Sequence, residues 1–242
     1  MTTTSDRTRK PAGHEQRVAH ALTLLRSAAV AHRGRIVQST SLGVEGMVIT
    51  DLIARHQLPV VVATLDTGAL HAATLALIPR IEARYGIRVE RYAPAPEATV
   101  HFVRQHGPFA MRESVDLRKA CCALRKLEPM QRLLEGHEAW ITGLRRDQSE
   151  HRANVPFRET DSDGREKFYP LADWTEDDVW HYVHTHDVPY NELHDQGFPS
   201  IGCQPCTRAV APGEDHRAGR WWWEQGVARE CGLHNRPQPV SA

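Results

Sequence analysis

Two closely spaced pairs of cysteines are the residues best suited to chemistry in this chain. Cys121 and Cys122 are adjacent in "KACCALRK", and Cys203 and Cys206 form a CxxC in "IGCQPCT". Four thiolates are enough for a 4Fe–4S cluster or for a four-cysteine zinc site. Because zinc sites normally separate their cysteines by at least two residues, the adjacent pair favours a cluster. Buried apolar thiols or a redox-active CxxC are the alternatives, but this CxxC follows a long loop, unlike a thioredoxin-type motif.

The fifth cysteine, Cys231, stands apart in "ECGLH". It lies near His234 and downstream of Arg217 and Arg220, and such cations lower the pKa of a thiol toward a reactive thiolate. We therefore predict that Cys231 is a nucleophile, the alternative being an inert exposed cysteine. The three tryptophans Trp221 to Trp223 are expected to anchor this segment, while nearby glycines let it move.

Three polar loops each follow a predicted strand. They are "SLGVEG" (41–46), "LDTG" (65–68) and "TGLRRDQS" (142–149). A glycine-containing loop before a helix presents backbone N–H groups to an anion, and arginine forks bind phosphate and sulfate. Neither a P-loop nor a GxGxxG motif is present. Together the loops predict an adenine-nucleotide or phosphosulfate pocket, with these candidates: Ser41, Gly43, Asp66, Thr67, Gly68, Gly143, Arg145 and Arg146.

The elements that must position these loops alternate between strands and helices. Strands are predicted at 35–40, 60–65, 87–92 and 139–144, and helices from about residue 44, over 71–85, over about 116–134, and after Thr175 with Asp178 completing its cap. Apolar strands alternating with amphipathic helices predict an α/β fold: a mostly parallel twisted sheet with helices on both faces. Ligands then bind beyond the carboxyl ends of the strands.

The domain organisation is predicted from composition. Residues 1–13 resemble a disordered tail, residues 14–206 a single α/β nucleotide-binding domain with the cysteine site, and residues 207–242 a flexible C-terminal catalytic arm. No internal repeat or low-complexity segment is apparent. The dense histidine run 181–186 is attributed to the surface of a helix rather than to a metal site.

Charge and cysteine usage exclude several classes of protein. The 242 residues carry 30 basic and 30 acidic side chains, so no general attraction for nucleic acid or anionic membrane is expected. No segment has the length of apolar sequence that a spanning helix needs, and the N-terminus lacks a signal-peptide core. An odd number of cysteines argues against a disulfide framework. We expect a cytoplasmic protein.

The motifs "LDTG", "KACCALRK", "TGLRRDQS", "SIGCQPCT", "GRWWWE" and "ECGLH" together nearly span the chain. In combination they resemble the assimilatory adenylyl-sulfate (APS) reductases of the PAPS/APS reductase family, in its iron–sulfur type. The resemblance implies an adenine nucleotide α-hydrolase-like fold, and a 4Fe–4S cluster that is not the net electron donor. It also implies thioredoxin or a glutaredoxin-like protein as reductant, and a homo-oligomer.

The resemblance also implies roles for individual residues. Cys121, Cys122, Cys203 and Cys206 would hold the cluster, Cys231 would be catalytic, and Lys126 would lie between the cluster and the substrate sulfate. His234 is a further catalytic candidate, because it lies near Cys231 in the sequence. Arg217 and Arg220 match arginines that hold the sulfate and phosphate end. Ser41, Gly43, Thr67, Gly143 and Arg152 match the nucleotide pocket. The chain departs from the family at Gly46, since "SLGVEG" stands where "SLGAED" is usual.

The implied reaction is reduction of APS to sulfite and AMP through an enzyme S-sulfocysteine, in sulfate assimilation and cysteine biosynthesis. A PAPS or dual-substrate reductase is one alternative. A cluster-bearing, ATP-dependent RNA sulfur transferase is another, although its SGGxDS loop and basic face are missing. A four-cysteine zinc module without catalysis is a third, and the colour of the purified protein would separate iron–sulfur from zinc.

Overall fold

The computed structural model describes residues 10–224 and Gly232. Seven α-helices occur in this part of the chain: α1 (His14–Ala31), α2 (Val44–Arg55), α3 (Ala72–Tyr85), α4 (Pro96–His106), α5 (Val115–Cys122), α6 (Glu128–Leu134) and α7 (Glu176–His186). Six strands occur with them: β1 (Ile36–Thr40), β2 (Val61–Leu65), β3 (Val89–Tyr92), β4 (Ala139–Ile141), β5 (Arg158–Thr160) and β6 (Glu166–Phe168). The four predicted strands are present, and β3 and β4 are shorter than expected.

The six strands form one sheet in the order β3-β2-β1-β4-β6-β5. All neighbouring pairs are parallel except β5 with β6, which form an antiparallel hairpin at one edge. The chain builds outward from β1 through β2 to β3, and then crosses to the other side of β1 to add β4. The loops after β1 and β4 therefore diverge at a switch point, where sheets of this type bind ligands.

The main core lies between the sheet and helices α1, α2, α3 and α7. α2 is buried around most of its circumference, from Val44 to Ile53. Trp174, which is almost fully buried, packs in the same cluster as Leu25 and Leu52. A smaller cluster that includes Met130, Leu133 and Trp140 covers the opposite face. Coverage of both faces explains why β1 and β4 are buried almost throughout.

A π-helical segment (Ala123–Leu127) joins α5 to α6, so the predicted helix over about 116–134 is present but locally widened. Ser114 caps α5, its Oγ accepting a hydrogen bond from Leu117 N. Pro129 lies at the start of α6 and has no N–H to donate to the preceding turn, where its ring would also crowd a carbonyl. The wider turn accommodates the proline and directly follows the adjacent cysteines.

The start of α7 is fastened to α1 through one buried carboxylate. Thr175 and Asp178 form the predicted capping box, and Asp178 also contacts His14 Nδ1 and Arg17 Nη2, both at 2.8 Å. Burial lowers the pKa of His14, although Asp178 opposes this shift. Burial likewise lowers the pKa values of His71 and His186.

These lowered histidine pKa values predict how stability depends on pH. Below about pH 6.5 the unfolded chain takes up protons that the buried imidazoles resist, so the free energy of unfolding decreases as the pH falls through this value. Thermal unfolding at pH 7.5 and 5.5 should give a lower Tm at the acidic pH. His14→Gln should reduce that difference and His101→Gln, at an exposed position, should not. A Tm that rises on acidification would contradict this assignment.

Within residues 10–224, no helix combines the length and apolar character needed to cross a membrane.

Candidate functional site

A cavity of about 210 Å³ opens beyond the carboxyl ends of β1, β2 and β4. Among its lining residues are many of those predicted from the sequence: Ser41, Gly43, Thr67, Lys126, Gly143, Arg152, Arg217 and Arg220. Leu65, Met130 and Trp140 add an apolar wall that the sequence did not indicate as part of a site. Such a mixture of an apolar wall with anion-binding groups is suited to a nucleotide.

The loop after β1 presents backbone N–H groups at the N-terminus of α2. Thr40 Oγ1 accepts a hydrogen bond from Leu42 N at 3.0 Å, and Leu42 has a φ of 59°. Gly43 occupies the N-cap position, so the positive end of the helix faces the cavity. Gly46, the departure from the family pattern, lies so close to Thr40 Oγ1 that a β-carbon there would force a rearrangement.

Gly143 lets the loop after β4 approach the first turn of α2. A β-carbon at this position would lie 2.9 Å from Glu45 Cβ and 3.3 Å from Gly46 N, closer than packed atoms normally come. Only glycine fits without a shift of one of the two backbones. The loops after β1 and β4 are thereby held against each other across the switch point.

The two adjacent arginines of this loop do not line the cavity, contrary to the expectation that they bind the anion. Arg145 is buried and pairs with Glu45 and Asp147 at 3.1 Å each. Burial alone would raise the pKa of Glu45, but Arg145 and Gln148 hold it below its usual value. Arg146 donates to Val155 O at 2.8 Å and stacks on Phe157. Both guanidinium groups are therefore engaged by protein groups, most of them outside this loop.

Thr67 is the polar residue of the "LDTG" loop that lines the cavity, beside the apolar Leu65. Asp66 Oδ1 accepts a hydrogen bond from Gly68 N at 3.1 Å, which closes the turn, and Gly68 has a φ of 65°. Neither Asp66 nor Gly68 lines the cavity. Arg125 Nη1 donates to Thr67 O at 2.7 Å and so ties this loop to the π-helical segment. Asp66 and Gly68 shape the loop that presents Thr67.

Lys126, Arg217 and Arg220 bring positive charge to the cavity. Arg220 is 7% exposed and lies directly over Gly202, where a β-carbon would collide with its guanidinium. Its Nη1 donates to Ile201 O at 3.3 Å, while its buried Nε has no hydrogen-bond partner among the described residues. A buried cation with unused donor capacity is a suitable partner for a sulfate or phosphate oxygen.

The four paired cysteines line one small cavity of about 60 Å³ beside the larger one. Each is only 7% exposed. Cys203 is held by a backbone bridge to Leu70, and Thr67 Oγ1 lies 3.2 Å from its Sγ. The "LDTG" loop therefore supports both the larger cavity and the cysteines.

Burial shifts the pKa values of two of these thiols upward. Burial and the neighbouring Cys203 raise the pKa of Cys206 to about 12, and burial raises that of Cys121. Such thiols are poor nucleophiles, but they are suitable donors once a metal displaces their protons. Among residues 10–224, no three His, Cys, Asp or Glu side chains converge as a single ion requires.

The two cavities share one wall, made of Lys126, Cys203 and Trp221. Trp221 is almost fully buried, with the guanidinium carbons of Arg118 and Arg220 at 4.8 and 4.6 Å from its ring centre. The sequence predicted Lys126 and Cys203 but not the roles of Arg118 and Arg125. In the sequence these arginines look like ordinary charged residues on a helix surface. Only the three-dimensional structure shows that they line the cysteine cavity.

The predicted nucleophile Cys231 and its neighbour His234 lie outside the described residues. The segment that leads to them is described as far as Glu224. Trp222 and Trp223 pack near Arg112, whose guanidinium carbon lies 5.1 and 5.4 Å from the two ring centres. All three tryptophans thus contact the domain before the chain reaches Cys231.

Comparison with known proteins agrees with this geometry. A model of the phosphoadenosine phosphosulfate reductase domain matches residues 35–209. The adenosine 5'-phosphosulfate reductase of Allochromatium vinosum is 55% identical over 202 residues, covering 83% of this chain and 79% of its own. The protein of that name from Neisseria meningitidis serogroup A is 52% identical over 198 residues, covering 81% of each chain.

Solved structures give the same result for the fold. The phosphoadenylyl-sulfate reductase of Candida auris, determined as a phosphate complex, matches with a TM-score of 0.66 and 31% identity, over 79% of this chain and 92% of that one. Yeast FAD synthetase in complex with FAD has a TM-score of 0.57 at 15% identity, over 85% and 72% of the two chains, and shares the fold alone. The predicted adenine nucleotide α-hydrolase-like fold is confirmed, and the chain belongs to the phosphoadenosine phosphosulfate reductase family.

Proposed function

We propose that the chain is an adenylyl-sulfate reductase, which reduces APS to sulfite and AMP in assimilatory sulfate reduction. The observation that carries the proposal is the shared wall between the nucleotide cavity and the four-cysteine cavity, in which Lys126 faces both. The curated relatives cited above, at 52% and 55% identity, are named for the same substrate. A PAPS reductase is the second candidate, because the Candida auris structure carries that name.

In this proposal the AMP part of the substrate lies on the loops after β1 and β4, and its sulfate faces Lys126, Arg217 and Arg220. The Cys231 thiolate attacks the sulfonyl sulfur in line with the bond to the phosphate oxygen. That bond breaks, its electron pair leaves with AMP, and Cys231 becomes an S-sulfocysteine. The three cations stabilise the negative charge that develops on the sulfonyl and phosphate oxygens.

Sulfite leaves in a second, reductive step. A thiolate of thioredoxin, or of a glutaredoxin-like protein, attacks Cys231 Sγ, and the electron pair of the broken S–S bond leaves with sulfite. The second thiol of the reductant resolves the mixed disulfide and regenerates the Cys231 thiol, with His234 in reach along the chain for proton transfer. Because this chemistry suits a reducing compartment, we propose that the protein is cytoplasmic. The family resemblance separately implies a homo-oligomer.

Cys121, Cys122, Cys203 and Cys206 would hold a 4Fe–4S cluster. The donor set, the burial of all four thiols and the adjacent cations fit such a group. When bound, the cluster would supply a fixed centre of charge beside Lys126 without serving as the net electron donor. Lys126 lines both cavities and so lies between the proposed cluster and the proposed substrate.

Steady-state sulfite release with thioredoxin tests the proposal. We expect release from APS with kcat/KM at least about tenfold above that from PAPS, a difference that one well-placed charged contact can supply. A preference for PAPS would replace the proposal with the second candidate. No sulfite from either nucleotide, with protein that retains its iron and binds AMP, would reject both.

Replacement of Lys126 is expected to affect binding and chemistry together. Lys126→Ala should raise the KM for APS and lower kcat, with a combined loss of about a hundredfold, because the cation contacts the anion in the ground state and more strongly in the transition state. Lys119→Ala is the matched control, since Lys119 lies on the same continuous helix but is exposed and lines neither cavity. Unchanged kinetics in Lys126→Ala would remove this residue from the mechanism.

A further inference from the structure

A buried ion pair connects the cysteine cavity to the start of the C-terminal segment. Arg118 lies on α5 and lines the cavity of the four cysteines. Its Nε donates to Glu224 Oε1 in a short contact, and the two residues are 1% and 5% exposed. Glu224 is the last continuously described residue before Cys231. A charged pair removed from water in this way is held firmly only when its geometry is well defined.

The same arginine fixes the tryptophan between the two cavities. The Trp221 ring lies between the guanidinium groups of Arg118 and Arg220. Its backbone has a φ of 44°, a left-handed conformation that is unfavourable for a bulky residue and persists only where its surroundings enforce it. Trp221 N donates to Cys206 O at 3.2 Å, and Glu224 N donates to Trp221 O at 2.9 Å. A turn thus redirects the chain directly at the cysteine cavity.

The position of this turn determines where the nucleophile can go. The seven-residue step from Glu224 to Cys231 spans at most about 25 Å when fully extended. Moving the anchor at Glu224 moves the whole region that the Cys231 thiol can reach. The stack of Arg118 on Trp221 and of Trp221 on Arg220 also sets the orientation of one anion-binding cation.

We infer that Arg118 is a positioning residue for the sulfonyl transfer: through Glu224 and Trp221 it fixes the base of the segment that delivers Cys231, and it orients Arg220 toward the substrate. This inference rests on the proposed function. Arg118 itself does not line the nucleotide cavity and is not a catalytic residue. A planar guanidinium is needed, because a lysine ammonium cannot stack in the same way on the Trp221 indole while it donates to Glu224.

The test is a single-turnover experiment in which reduced enzyme is mixed with APS alone. Intact-mass spectrometry measures the rate at which the sulfonated protein forms. Arg118→Lys and Glu224→Gln should each slow adduct formation by about a hundredfold, the cost of a small misplacement of reacting groups. AMP affinity and iron content should stay within about twofold of the parent values. The double variant should be no slower than the worse single variant, because both changes break the same unit.

Arg132→Lys is the matched control. Arg132 lies farther along the same continuous helix and also pairs with a glutamate, Glu128, but on the exposed surface, so its adduct rate should be unchanged. Adduct formation at the parent rate in Arg118→Lys would overturn the inference. The inference would also be overturned if iron content and AMP affinity fell as much as the adduct rate. Arg118 would then have only a structural role in the cysteine cavity. If Arg118→Lys does not fold, Glu224→Gln decides by the same criteria. A parent protein that forms no adduct would instead reject the proposed function.

Discussion

Replacing Cys231 with serine should abolish sulfite production from APS and prevent the mass of the protein from increasing by one SO3 group when APS is added without reductant. Removing a catalytic nucleophile lowers kcat by about a millionfold, which here means loss to background. The other four cysteines cannot take over this role. They are buried, and the pKa values of Cys121 and Cys206 are raised by that burial. Intact-mass spectrometry of both proteins is the measurement.

Two controls test whether the loss of activity comes from the missing thiol alone. Cys231→Ser should keep the iron content and AMP affinity of the parent, because the nucleotide cavity and the four-cysteine cavity are built from residues 39–221. His234→Ala should still acquire the SO3 group, since the second step and not the first would need its proton. Persistence of the added mass in Cys231→Ser would show that another group is the acceptor.

The second large effect is expected from Cys203→Ser. Cys203 lines both cavities, and its thiol is one of the four proposed cluster ligands. The variant should therefore lose the brown colour expected of the parent, and its iron content should fall from about four atoms per chain toward zero. Turnover with APS and thioredoxin should fall with it. Iron analysis and the visible absorption spectrum, recorded on anaerobically purified protein, are the measurements.

Cys231→Ser again serves as the matched comparison, because it removes a thiol while leaving the proposed ligands in place. The two variants should give opposite results: iron without turnover for Cys231→Ser, and neither for Cys203→Ser. A colourless parent with about one zinc per chain would contradict the iron–sulfur proposal and favour a four-cysteine zinc site. A parent without metal that still releases sulfite would remove the cluster from the mechanism altogether.

Much of the fold could be predicted from the sequence because burial leaves a clear pattern. The segments around β1 and β2 contain short apolar runs, and each is followed by an amphipathic helix, which indicates a parallel sheet. The β5–β6 hairpin was not predicted, because Arg158–Thr160 and Glu166–Phe168 are mostly charged residues at the edge of the sheet. Their pairing depends on the docking of β6 against β4, which is not visible in a local pattern.

The candidate site was predicted unevenly for a similar reason. Position after a strand correctly indicated that Ser41, Thr67 and Gly143 line the cavity. It could not reveal in which direction a long side chain points. Arg145 appeared suited to bind an anion, but Glu45, far away in sequence, provides the carboxylate that it pairs with. Contacts between distant segments, such as Arg118 with Glu224, leave no local pattern for the same reason.

The route of the chain through the sheet has a consequence for biosynthesis. The two cysteine pairs lie on opposite sides of β4 in the sequence, so the chain between them must fold back before they share one cavity. Such long-range pairings form late, because loop closure costs entropy before the contacts repay it. Loading of the proposed cluster is therefore expected to follow synthesis, on an almost complete apoprotein.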